Sequence, residues 1–348
     1  MQLELQTLVM RQQNDHSNVR KLHDTIVVAA PLANVQRAVV SSRMDAQRVI
    51  SCLDDHGCRD VTHEVDFSTI TDFVIQRGGF GQVYQARMRD GTKVAVKALI
   101  QVFNDLGGTY SKTKKRAGRE GYNWSKFKHP NILQLLGVAR YNSQVVLVSP
   151  WMERGTLSEY VSRYPEANRC GLAYQVAEGL VYMHSTGAVH GDVKGANVLV
   201  SDSGTAMLAD FGNTVLEAYS LQFTPTGATE CSVRWAAPEL FDGVILHSME
   251  GDVWALGMTV LETVTGKLPY DEIKYSGAVI RRIISKQLPE RPSVQLLPSS
   301  PFGDRLWTLL TSCWAFEPSL RPTAAYMKDC LKDIVTTEEC ISGPESSN

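Results

Sequence analysis

The stretch DFVIQRGGFGQVYQARMRDGTKVAVKAL, residues 72–99, limits the fold more than any other. β-Branched and aromatic residues alternate through it, and RDGT at 89–92 carries the Asp-Gly signal of a tight hairpin turn. The pattern reads as three antiparallel strands, at 72–78, 81–88 and 92–99. YNSQVVLVSP, 141–150, reads as a further strand. Between them, NDLGGTYSKTKKR at 104–116 reads as an exposed loop, followed by a helix over 116–127 that Gly118 and Gly121 weaken.

After residue 156 the apolar period changes. Leu172, Ala173, Val176, Leu180 and Met183 fall on one helical face, and DVWALGMTVLETVTG at 252–266 is apolar around most of its circumference. The second of these is expected to be a buried central helix. Strands first and helices later predict an α+β arrangement of two lobes. Upstream, Val35, Ala38, Val39, Ala46, Val49, Ile50 and Leu53 recur at helical spacing, with SRMD (42–45) as a capping box and Gly57 as a stop. Residues 1–24 are polar and only weakly periodic.

Bulk numbers exclude several classes. The 348 residues suit one two-lobed domain, and 43% hydrophobic with 21% charged residues is ordinary for a globular protein. A net charge of −2 gives no global field for nucleic acid or membrane. The basic run at 112–116 is read as a solvated surface. Seven scattered cysteines include no CxxC pair, so reduced thiols are expected. TIVVAAPLANV, 25–35, is too short to span a bilayer, and the N-terminus lacks signal-peptide character. A soluble, cytoplasmic chain without membrane insertion is the expectation.

Chemistry is concentrated in short motifs. In QRGGFGQV (76–83), glycines allow backbone N–H groups to approach phosphate, although a simple β-turn is the other reading. Lys97 ends VAVK on the third strand. A strand lysine facing inward needs a counter-charge, which Glu120 on the next helix can supply. In HGDVKGANV (190–198), Asp192 can accept a proton, Lys194 can neutralise phosphate charge and Asn197 can offer an oxygen to a metal. Mg²⁺ prefers such oxygens, and Asp210 of DFG adds a carboxylate. Arg321 is the expected buried partner of Glu239 in AAPE.

This ordered set, from GGFGQV and VAVK through HPNI, HGDVKGAN, DFG, WAAPE and DVWALG to RP, resembles the eukaryotic-type protein kinases over about 72–334. The resemblance implies a bilobal kinase-like fold: a small β-rich N-lobe with one main helix (67–154, including the hinge) and a larger helical C-lobe (155–334). An N-terminal extension (1–66), partly helical or disordered and a candidate partner-binding segment, precedes them. A disordered tail (335–348) follows. It further implies ATP and Mg²⁺ as cofactors and protein hydroxyls as substrates. Gly78, Gly79, Phe80, Gly81, Val83, Ala95, Lys97, Ser149, Pro150, Met152 and Leu199 would surround the nucleotide. Lys97, Glu120, Asp192 and Lys194 would serve catalysis, and Asn197 and Asp210 would hold metal. Trp124, Leu135, His190 and Phe211 would stack as an apolar column between the lobes, with Asp252 anchoring the catalytic loop.

Lys194 and Ser232 resemble serine/threonine kinases, whereas WAAPE, CWAFEPSLRP and the hinge are closer to tyrosine kinases. The mixture is similar to the tyrosine-kinase-like serine/threonine group, in particular its fungal members with an HGD loop. HGCRDVTHEVDFSTI (56–70) is similar to the segment before some of those kinase domains. Two positions depart from the family pattern. Gln76 stands for the first glycine of the phosphate loop, which puts its turn in doubt because Gln tolerates positive φ poorly. Gly191 stands where an arginine usually pairs with a phosphate on the activation segment. Its loss argues against that switch at Thr224, Thr226, Thr229 or Ser232, not against catalysis. The alternatives are a pseudokinase scaffold that binds partners without turnover and a kinase-fold enzyme acting on small molecules.

Overall fold

The computed structural model describes residues 39–41, 44–71, 73–74, 76–78, 81–99, 109–216, 222–223, 232–241, 247–292 and 301–341. The N-lobe sheet is built as expected around a hairpin. β4 (Gly81–Met88) and β5 (Lys93–Leu99) pair antiparallel from Gly81↔Leu99 to Arg87↔Lys93. Between them Gly91 takes φ +90°, and Asp90 accepts the Thr92 N–H at 2.8 Å. The sheet runs β2 (Val65–Asp66), β4, β5, β7 (Gln144–Pro150), β6 (Gly137–Tyr141), with β3 (Gln76–Gly78) also on β4. β6 was not legible as a strand. Asn142 and Ser143 turn between β6 and β7 with φ of 45° and 62°, the two-residue geometry that favours the twist of a hairpin.

Alternation along β5 buries Val94 and Val96 in an outer cluster with Val61, Val65, Ala86, Ala139, Val146 and Val148. Lys97 and Leu99 face the other way, toward α2 (Thr109–Trp124). This helix begins well before the expected 116, so residues 109–116 are helix and not loop. Its Lys and Arg residues are good helix formers and keep the polar stretch helical. Gly121 is required by packing: a Cβ there would lie 2.9 Å from Leu147 Cδ2 and 3.1 Å from Val138 Cγ1.

The helix expected over 34–53 is shorter. α1 (Ala46–Asp54) starts at Asp45, whose carboxylate caps the Arg48 N–H at 2.8 Å. Asp45 is thus the N-cap itself, not the third residue of a box begun at Ser42. Val39–Val40 form β1, which pairs parallel with β12 (Gln222–Phe223). Ala46, Val49, Ile50 and Leu53 of α1 are buried in the same cluster as Ala117, Tyr122 and Leu147. That packing crosses the division drawn at 66/67.

The C-lobe is helical: α3 (Leu157–Arg163), α4 (Arg169–Ser185), α5 (Met249–Thr265), α6 (Ser276–Ile284), α7 (Pro301–Cys313) and α8 (Ala324–Ile341). α5 is the central helix foreseen, buried from Asp252 to Val264 and stopped by Gly266 at φ +69°. α8 continues through Ile341, into the stretch expected to be a disordered tail. Short hairpins β9 (Val198–Val200)–β10 (Ala206–Leu208) and β8 (Ala188–Val189)–β11 (Val215–Leu216) frame the cleft. This is the bilobal α+β arrangement expected. Among the described residues no helix is long and apolar enough to cross a membrane.

Candidate active site

Three charged side chains converge between the lobes. Lys97 Nζ lies 2.7 Å from Glu120 Oε1 and 3.0 Å from Asp210 Oδ1. β5 supplies the lysine, α2 the glutamate and the segment after β10 the aspartate. Gly81, paired across the hairpin from Leu99, leaves room for the lysine stem, since a Cβ on it would sit 3.2 Å from Lys97 Cε. Burial disfavours the charge on Lys97, but the two carboxylates outweigh it and raise its pKa. Burial likewise opposes ionisation of Asp210. Lys97, then Lys194 and His190, override it and hold the carboxyl below the usual range. Glu120, with only 1% of its side chain exposed, is pushed up by burial.

The second cluster lies on the loop after β8. Lys194 Nζ bridges Asp192 Oδ2 and Ser232 Oγ, each at 2.7 Å. Asn197 donates through Nδ2 to the Asp192 carbonyl and to its Oδ2, both at 2.8 Å. Its amide oxygen is left for another partner. The Asn197 carbonyl accepts the Ala209 N–H at 2.8 Å, which brings the two clusters side by side. The loop hangs from α5: Asp252, 2% exposed, accepts the His190 and Gly191 N–H groups at 2.8 Å each. Gly191 has φ +80°, and a Cβ on it would meet Asn213 O at 2.9 Å and His247 Cγ at 3.0 Å.

Asp210 itself takes φ +66°, a strained conformation for a side-chain-bearing residue, which turns Phe211 inward. The Phe211 ring is fully buried, 5.4 Å from Trp124, 5.5 Å from Phe127 and 5.6 Å from His190 between centroids. Trp124, His190 and Phe211 are brought together as expected, and Leu135 packs against the same core. Phe127 had not been singled out. Arg119 donates to Gly212 O at 3.2 Å and Asn123 to Thr214 O at 2.9 Å, so α2 grips the start of the activation segment at three places.

Of the expected nucleotide contacts, Ala95 pairs with Ser149 and Val94 with Pro150 across β5 and β7. Ser149 is buried and Met152 half-buried at the start of the hinge. Leu199 bridges to Thr156 beneath them. Gly78 pairs with Gly81 and Gln76 with Val83, while Gly79 and Phe80 lie outside the described residues. Gln76 is a strand residue, and no positive φ is asked of it. The doubt about the first turn of the loop is thereby removed. Thr224, Thr226 and Thr229 also lie outside the described residues.

Glu262 had been missed. It accepts from Ser158 Oγ at 2.6 Å, Gly195 N at 3.0 Å and Trp235 Nε1 at 3.0 Å, and burial pushes its carboxyl up. It ties α3, the loop and the WAAPE segment to α5. The available signal was a lone charge inside an apolar helix, which needs partners. Glu239 and Arg321 form the expected buried fork, at 2.6 and 2.7 Å.

A family model described as protein tyrosine and serine/threonine kinase matches residues 70–331. Mitogen-activated protein kinase kinase kinase 1a of Physcomitrium patens is 32% identical over 270 residues, which are 77% of this chain and 33% of that protein. Mitogen-activated protein kinase kinase kinase 1 of Arabidopsis thaliana is 31% identical over 259 residues, 72% of this chain and 40% of that protein. Tyrosine-protein kinase Btk of Drosophila melanogaster is 29% identical over 269 residues, 75% of this chain and 32% of that protein. The chain thus spans well under half the length of these relatives. With the two clusters, the inward Phe211 and the Glu239–Arg321 fork in place, the chain belongs to the protein tyrosine and serine/threonine kinase family.

Proposed function

We propose that the chain is an ATP-dependent protein kinase that transfers the γ-phosphate to serine and threonine hydroxyls of protein substrates in intracellular signalling. The observation that carries this reading is the Lys194 bridge between Asp192 and Ser232. It sets a positive charge beside the proton acceptor and beside the segment on which a peptide would lie. That supports serine/threonine acceptors and a place in the tyrosine-kinase-like group.

In the proposed reaction the acceptor hydroxyl attacks the γ-phosphorus. Its oxygen gains the new P–O bond, its proton passes to Asp192, and the bond to the ADP oxygen breaks. Lys194 and Lys97 offset phosphate charge. Lys97 is kept charged and in place by Glu120. Asp210, held ionised, and the free amide oxygen of Asn197 are hard oxygen donors suited to Mg²⁺. When bound, the ion neutralises charge on the transferring phosphate. The Pro150 carbonyl and the Met152 N–H would meet the adenine edge, while Gly78, Gly79, Phe80, Gly81, Val83, Ala95, Ser149 and Leu199 enclose the nucleotide. The cytoplasm is the proposed location.

The test is transfer from Mg²⁺-ATP to serine, threonine and tyrosine peptides by unphosphorylated protein, with Asp192→Asn alongside. The expected outcome is serine/threonine transfer that falls by about 10²–10⁴-fold in the variant. ATP binding with no transfer by either protein would favour a scaffold. Transfer chiefly to tyrosine would overturn the acceptor assignment.

A further inference from the structure

The segment before the N-lobe touches both movable parts of the site. α1 lays Ala46, Val49, Ile50 and Leu53, each at most 4% exposed, into the cluster that also holds Ala117 and Tyr122 of α2. Beyond it, Cys58 Sγ donates to the Gly121 carbonyl at 3.6 Å, and Lys126 Nζ to the His56 carbonyl at 2.9 Å. Lys114 Nζ reaches the Met44 carbonyl at 3.5 Å. Residues 59–61 add a short edge to β6: Val61 N–H donates to Val138 O and Val138 N–H to Arg59 O, both at 2.8 Å. That approach is close enough that a Cβ on Gly137 would lie 2.4 Å from Arg59 O.

At its other end the segment pairs Val39 with Gln222 and Val40 with Phe223, within the activation segment that begins at Asp210. Val40 is fully buried. The helix it braces has two glycines, Gly118 and Gly121, and such a helix draws its stability from packing rather than propensity. α2 is also the element that delivers Glu120 to Lys97, Arg119 to Gly212 and Asn123 to Thr214.

We propose that residues 39–58 are a built-in positioning element for phosphoryl transfer. α1 holds α2 with Glu120 against Lys97, while β1 holds the activation segment through 222–223. The second contact supplies in cis the ordering that Gly191 cannot supply from the catalytic loop. The kinetic consequence rests on the kinase reading above; the structural one does not.

The test uses the full chain, unphosphorylated. Val39→Pro and Val40→Pro are made separately, because a parallel ladder uses the N–H of only one of two adjacent residues and proline removes it. Ile50→Ala thins the α1 contact. Turnover, KM for ATP and Tm are measured together with two readouts that need no turnover: hydrogen exchange over 109–124 and 214–223, and alkylation of Cys58 followed by peptide mapping. Cys58 is 1% exposed and burial pushes its thiol up to about 12, so it reacts only when α1 and α2 part.

One proline variant is expected to lower kcat by about tenfold or more, with KM for ATP within about threefold of wild type and faster exchange over 214–223. Ile50→Ala is expected to speed Cys58 alkylation and exchange in α2. Unchanged kcat and exchange in both proline variants would overturn the role of β1, and unchanged alkylation in Ile50→Ala that of α1. A wild type without turnover would overturn the kinase reading alone, and exchange and alkylation would still decide the inference. A fall in kcat matched by a general fall in Tm, with exchange raised everywhere, would count against positioning.

Discussion

At residue 191 neither the backbone nor its surroundings admit a side chain. The φ of +80° disfavours any Cβ, and the Asn213 carbonyl and the His247 ring occupy the space it would enter. Gly191→Arg is therefore expected to cost about 1–3 kcal/mol of stability and to lower turnover, not to restore control by phosphate; a urea titration and kcat check both. His247 makes a second prediction. Burial holds its pKa below the ordinary 6.5, against the pull of Asp252 and Asp192 and with the push of His190 and Arg119. Below that pH the unfolded chain binds more protons at this site than the folded one, so stability drops as pH falls through the window. His247→Phe is expected to flatten the decline in Tm between about pH 7 and about pH 5. The absence of an arginine was plain in the sequence; the reason none fits was not, because His247 reaches the site from another part of the chain. Gln76 shows the same limit in reverse, since the motif made it suspect and the strand register cleared it.

The position of α2 is set by contacts on two faces, and Gly121 is the point of closest approach to the sheet. Gly→Ala inside a helix ordinarily stabilises by about 1 kcal/mol. Here the new methyl would meet Leu147 Cδ2 at 2.9 Å and Val138 Cγ1 at 3.1 Å, so Gly121→Ala is expected to destabilise by about 1–3 kcal/mol instead. It should also reduce turnover by drawing Glu120 away from Lys97. Equilibrium unfolding and kcat together distinguish this from a simple propensity effect. Elements with a strong local period were legible: β4 and β5 from alternation and the Asp-Gly turn, α4 and α5 from their apolar faces. Those whose shape depends on remote partners were not. Val39 and Val40 continue a helical spacing in sequence, yet they become a strand because Gln222 and Phe223 lie beside them. The first two turns of α2 are too polar to announce a helix, and β6 is a short strand recognised by its partner β7.

Across the molecule, the C-lobe is held by a few buried charges rooted in or near α5. Arg321 donates to both Glu239 oxygens, to the Glu250 and Ala315 carbonyls, and lies over the Trp254 ring. Arg321→Met would leave Glu239 buried without its cation and is expected to cost about 3–5 kcal/mol, read by chemical denaturation. The fold class was legible because the order of strands, helices and motifs admits one two-lobed arrangement. The extension was not, because its partners are scattered over both lobes. One contact of that extension also fixes an order of events. Val39 is among the first described residues to leave the ribosome, and its partner Gln222 emerges only after the whole N-lobe and the first C-lobe helices. The pairing closes a very long loop and can form only late. A nascent chain that already holds a complete N-lobe would therefore lack its last brace until synthesis had passed the activation segment.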